Sequence, residues 1–124
     1  MSAIRYTRTH EWIRPEADGT MTVGITEFAQ EHLGDIVYVE LPDIGRQVTA
    51  GEAAIVIESV KAAADVNIPV AGEIVDANAA LSDAPEMVNQ DPMQSGWIVR
   101  LRPENPDDFS ELLDQSAYES VTTD

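Results

Sequence analysis

Four segments of this chain alternate apolar and polar residues with a period of two, a pattern that fits a half-buried strand and not a helix. In residues 22–26 it sets Val23 and Ile25 on one face, and in residues 36–41 it sets Val37, Val39 and Leu41 together. Residues 65–70 and 97–101 repeat it, while residues 53–57 are apolar at every step, which predicts a strand covered on both faces. Turn-forming pairs at Pro42-Asp43, Ala50-Gly51 and Ala71-Gly72 punctuate these runs. The expectation is a mainly β fold of short strands.

Helices are signalled by their ends. Thr26 is placed to cap a segment carrying Phe28, Ala29 and Leu33, with Gly34 as its stop. Asp83 and Glu86 have the spacing of a capping box for a short helical turn through Met87 and Val88. Asn105-Pro106-Asp107-Asp108 combines a cap, a proline at the first helical position and acids at the positive end of the dipole. Phe109, Leu112 and Leu113 then share a stripe, and Ala117, Tyr118 and Val121 share a later one. These C-terminal helices, at about 106–122, are expected to pack on the sheets.

A length of 124 residues fits one domain, 1–124. No apolar run approaches the roughly 20 residues of a membrane span, and the first residues contain neither a signal core nor an Arg-rich transit segment. The reading is a cytoplasmic chain starting at Met1. The net charge of −16 repels phosphate backbones and anionic lipid surfaces, so nucleic-acid and membrane partners are excluded and partners with basic docking faces are favoured. Cysteine is absent, which removes disulfides, thiolate nucleophiles and Cys-ligated zinc. Any sulfur redox chemistry must come from an attached group.

Lys61 is the only lysine, against six arginines. It lies in Glu58-Ser59-Val60-Lys61-Ala62, between an apolar strand and an alternating one, which predicts a hairpin over about 52–70 with the lysine at its tip. Gly51-Glu52 and Gly72-Glu73 open similar strands on either side, with Lys61 almost midway. A solvated amine at a tip can enter a modifying enzyme and be converted to an amide, which removes its charge. Three other readings compete. Ser59 and Lys61 as a nucleophile–base pair would need a buried lysine and an oxyanion hole, and no Gly-rich nucleophile elbow is present. A zinc enzyme lacks the H-E-x-x-H spacing, and His10 and Glu11, as strand neighbours, are expected to point to opposite faces. An acidic interaction module would leave Lys61 unmodified.

Further segments carry a specific resemblance: Thr9-His10-Glu11-Trp12, Val23-Gly24-Ile25-Thr26 running into Ala29-Gln30, Leu33-Gly34-Asp35-Ile36-Val37 and Val39-Glu40-Leu41-Pro42. Glu58-Ser59-Val60-Lys61-Ala62-Ala63, Pro69-Val70-Ala71-Gly72-Glu73, Val88-Asn89, Asp91-Pro92 and Gly96-Trp97 continue it. In their order and spacing the chain resembles the H proteins of the glycine cleavage system from Tyr6 to about Val121. The resemblance implies a lipoyl/biotinyl-type sandwich of two small antiparallel sheets, a barrel-sandwich hybrid, with short peripheral helices and a helical C-terminus. It implies a carrier and not an enzyme, with lipoic acid joined to Lys61 as an amide. A pyridoxal-phosphate glycine decarboxylase component would load an aminomethyl group onto the lipoyl arm. A tetrahydrofolate-dependent aminomethyltransferase would accept the group, and dihydrolipoyl dehydrogenase would reoxidise the arm; lipoate-attaching enzymes are the remaining partners. By motif position, Thr9, Glu11, His32 and Asp65 would form a cleft that shelters the loaded arm, the two acids holding its cationic amine. Ala64, Ala71 and Met93 depart from residues common in that family. A lipoyl or biotinyl domain of another multienzyme complex is the nearest alternative, but biotin sites usually place methionines beside the lysine, where Val60 and Ala62 stand here. An H-like protein that relays lipoyl groups to other enzymes also stays open.

Overall fold

The computed structural model describes residues 4–122; Met1, read above as the start of the chain, lies outside them. The strands are β1 (Arg5–Tyr6), β2 (Glu11–Pro15), β3 (Met21–Ile25), β4 (Ile36–Glu40), β5 (Gln47–Val48), β6 (Ala53–Ser59), β7 (Ala63–Asn67), β8 (Gly72–Ala77) and β9 (Val99–Pro103). They form two open antiparallel sheets, one ordered β1-β2-β3-β9-β8-β5 and the other β4-β6-β7. The first is larger than the small sheet expected, because the N-terminal strands and β9 extend it. The strands opened by Gly51-Glu52 and Gly72-Glu73, β6 and β8, lie in different sheets. Both sheets contribute to one apolar core that includes Val23, Val99 and Leu101 from the larger and Val39, Ile57 and Val66 from the smaller. No helix is long and apolar enough to cross a membrane among the described residues.

Two strand expectations are corrected. In β4 the register shifts between Ile36 and Tyr38, which oppose Ser59 and Glu58, so Val37 is the extra residue of a bulge. The bulge breaks the period of two: Ile36 and Val39 are buried, and Val37, predicted to face the core, is 54% exposed. In residues 53–57, Ile55 and Ile57 are buried but Val56 is half-buried and Ala53 exposed, so the outer face of β6 is only partly covered.

The helices are α1 (Glu27–Leu33), α2 (Ala80–Asp83), α3 (Met87–Gln90) and α4 (Gln115–Val121), with a 3-10 turn at Pro106–Glu111. Thr26 caps α1 by accepting from the Ala29 amide, and Gly34 ends it at φ 79°, a conformation that favours glycine. The capping box does not form: Asp83 is the last residue of α2, and Glu86 precedes α3 without a side-chain cap bond. The chain has two separate helical turns where one was expected. Asn105 caps the 3-10 turn, which ends at Glu111 and not beyond Leu113. Leu113 instead exchanges backbone hydrogen bonds with Tyr6, 2.8 and 2.9 Å long, which adds a bridge to the edge of β1. In α4 Tyr118 is buried while Ala117 is exposed, so the predicted shared face holds only in part. Tyr118 stacks on Tyr6 at 4.6 Å and forms, with Trp12, a second small core.

Candidate functional site: a lysine-tipped hairpin beside a cleft

The β6–β7 hairpin turns at residues 59–62, and Ser59 builds the turn. Its hydroxyl donates to the Ala62 carbonyl at 3.1 Å and accepts the Lys61 and Ala62 amides at 3.1 and 3.2 Å. That leaves the hydroxyl committed to backbone, and Lys61 is exposed, so the nucleophile–base pair of an enzymatic reading is not assembled. The tip is tied to the end of α1, since the Val60 amide donates to the Asp35 carbonyl at 3.0 Å. The lysine stem runs over Gly34: a Cβ at Gly34 would stand 3.3 Å from Lys61 Cε. Asn89 fixes this corner from below, donating to the Gln30 side chain and the Gly34 carbonyl and accepting the Ile36 amide, all within 3.0 Å.

Beside the tip is a cleft of about 260 Å³. Thr9, Glu11, His32 and Asp65, the four residues singled out by motif position, all line it. They come from the loop before β2, from β2 itself, from α1 and from β7. His10, Phe28, Leu33 and Ala64 line it as well, with Ile25, Ala29 and Val66 supplying further apolar wall. Ala64, one of the departures from the family pattern, therefore falls inside the cleft.

The two acids differ in kind. Glu11 is 2% exposed, and its carboxylate accepts the Thr7 and Thr9 hydroxyls, both at 2.5 Å, and the Asn67 amide at 3.1 Å. Burial pushes its carboxyl above the ordinary glutamate range, and these three donors only partly offset the loss of water. Asp65 is exposed, and its carboxylate has no protein hydrogen-bond or ion-pair partner among the described residues. His32 is also exposed; its Nδ1 lies 3.0 Å from the Phe28 carbonyl and its ring stacks on Phe28 at 4.2 Å.

Sequence reasoning placed His10 opposite Glu11, and the structure corrects it. His10 precedes β2 and has φ 75°, so the strand alternation does not extend to it and both side chains reach the cleft. No motif signals such a turn at a histidine. Phe28 and Leu33 belong to the apolar face expected of α1, and only the placement of that face across the cleft from residues 64–66 of β7 makes it a wall.

A sequence model of the glycine cleavage H-protein matches residues 4–124. Glycine cleavage system H proteins of Thermus thermophilus and Alkalilimnicola ehrlichii are 59% and 53% identical, covering 94% and 98% of this chain and 90% and 93% of their own lengths. A crystal structure of the Mycobacterium marinum glycine cleavage system H protein is 40% identical, superposes with a TM-score of 0.88, and is matched over 97% of this chain and 96% of its own. With sequence matches and a superposition that each span nearly the whole chain, the chain belongs to the glycine cleavage H-protein family.

Proposed function

We propose that this chain is the lipoyl carrier of the glycine cleavage system, a single functional unit that serves enzymes and catalyses nothing itself. The supporting observation is the continuity of the surface: the Lys61 stem lies on Gly34, which follows His32 and Leu33, and these two line the cleft. Asp65 is only four residues beyond Lys61, at most about 14 Å of extended chain. An acyl arm on the lysine thus has an apolar-walled groove immediately at hand. The group fits the residues present, with apolar wall for a hydrocarbon chain and the carboxylates of Glu11 and Asp65 for a cationic end.

A bound lipoyl group supplies the sulfur that carries the aminomethyl unit and is later reoxidised. The protein's own residues do the remainder. Ser59 holds the tip open for the attaching enzyme, and the exposed Asp65 carboxylate is free to accept from an ammonium. Glu11 sits at the cleft floor as an acceptor already oriented by Thr7, Thr9 and Asn67, and the apolar wall excludes water from the labile end. The glycine decarboxylase component, the aminomethyltransferase and dihydrolipoyl dehydrogenase are the partners this role requires. An acidic surface suits docking on basic faces of all three.

Intact-mass measurement after co-expression with a lipoate ligase and lipoate tests the attachment. A single lipoyl addition is expected, and none in Lys61→Arg. A bare mass, in a cell where the ligase modifies a control domain, would overturn the assignment.

A further inference from the structure

The C-terminal helix is joined to the cleft through one side chain that the carrier role does not call for. The Tyr118 hydroxyl lies 2.6 Å from Thr26 Oγ1 and 2.8 Å from His10 Nδ1. Thr26 caps α1, the helix that supplies Phe28, His32 and Leu33 to the cleft, and the Thr26 amide donates to the His10 carbonyl at 3.1 Å. His10 is itself cleft wall, held at φ 75° and with its ring tilted against that of Phe28 at 4.5 Å. Tyr118 is 7% exposed and its ring is fixed by Tyr6, so its hydroxyl is presented rigidly to both partners. One proton order satisfies every group: Thr26 donates to the tyrosine oxygen while accepting the Ala29 amide, the tyrosine donates to His10 Nδ1, and neutral His10 holds its proton on Nε2.

We infer that Tyr118 is a positioning residue for the arm cleft, a clip by which α4 fixes the start of α1 and the His10 ring relative to each other. Through it the walls contributed by the N-terminal turn and by α1 keep one spacing. The inference rests on the cleft sheltering the loaded arm. His10 supports it: burial, and then the neighbouring His32, lower its pKa, as suits a ring held neutral to accept from the tyrosine. The titratable groups around this ring are Glu11 beside it in the chain, His32 on α1, Asp65 across the cleft on β7, and Tyr118 with Tyr6 behind it.

Tyr118→Phe keeps the ring stack and removes only the hydroxyl. In the unlipoylated protein, NMR titration of the His10 ring is expected to show its pKa raised, because the neutral form loses a donor. A variant that merely loosened α4 would lower thermal stability and leave the His10 tautomer in place. In loaded protein the aminomethyl group should be lost about fivefold faster, the effect of one neutral hydrogen bond. Thr26→Ala should act likewise and Thr26→Ser should restore the slow rate. The double variant Glu11→Ala/Asp65→Ala serves as reference. If it accelerates loss while Tyr118→Phe leaves both the rate and the His10 titration unchanged, the clip is overturned and the cleft stands. If no variant changes the rate, the sheltering cleft fails and the role of Tyr118 fails with it.

Discussion

The hairpin tip and the cleft floor are both built from a short loop with hydroxyl side chains, yet they sit in opposite physical regimes. At the tip, Ser59 closes a turn in full solvent, and Lys61 and Val60 project outward. At the floor, Thr7 and Thr9 direct their hydroxyls inward onto Glu11, which water scarcely reaches. A lysine that an enzyme must acylate has to be accessible, and its turn can be held by weak, water-competed bonds. A carboxylate set out of water has to have its acceptors filled, because each unmet bond there is expensive. The hydroxyl chemistry is shared; what differs is how much energy depends on it.

The largest effect that contrast predicts is on global stability. Glu11→Ala would empty a buried position and take the acceptor from the half-buried Thr7 hydroxyl and Asn67 amide, and a loss of about 3 kcal/mol is expected in urea unfolding. Asp65→Ala, at an exposed and unpaired acid, should stay within about 0.5 kcal/mol of the parent. Equal losses would erase the distinction between floor and rim.

A second test uses pH. The folded pKa of Glu11 lies above its ordinary value of 4.5, so the stability this group contributes is fully present below that value and is lost as pH rises through the folded pKa. Glu16 is the opposite case: the Thr22 hydroxyl first, and then Arg14, lower its pKa, so its contribution is present above 4.5 and is lost as pH falls through the folded pKa. Between about pH 4 and pH 7, Glu11→Gln should therefore gain on the parent and Glu16→Gln should lose ground, whatever their constant offsets. Thermal unfolding series at matched pH read the two slopes, and slopes of the same sign would contradict the assignment. The smallest effect is at the tip. Ser59→Ala should lower stability by about 0.5 kcal/mol while speeding amide exchange at residues 61 and 62. An unchanged exchange rate would mean that the serine does not hold the turn.

Much of the frame was legible because it is local. Residues 65–70 bury Val66, Ile68 and Val70 as their alternation predicts, and Thr26 and Gly34 bound α1 as their types require. Lys61 was placed at a tip by the strands on either side. Errors arose where a backbone irregularity overrode the period: the bulge exposing Val37, the positive φ that brings His10 beside Glu11, and the two separate turns around Asp83 and Glu86. The cleft is another matter. Its walls come from three separated segments, residues 9–11, 25–33 and 64–66, and no spacing within any one of them announces the others. Family likeness drew attention to Thr9, Glu11, His32 and Asp65, but the helix stripe that includes Tyr118 gave no sign of its link to the cleft, because its partners lie 92 and 108 residues away.

The bulge in β4 also bears on how copies of this chain treat one another. β4 is an open edge of the smaller sheet, and it displays Val37 at 54% and Tyr38 at 47% exposure. A flat edge with such side chains invites strand-to-strand association. One extra residue kinks that edge, and the exposed acids Asp35 and Glu40 flank it, so a second copy meets a mismatched ladder and like charge. Deleting Val37 would straighten the edge, and self-association would then be the expected hazard.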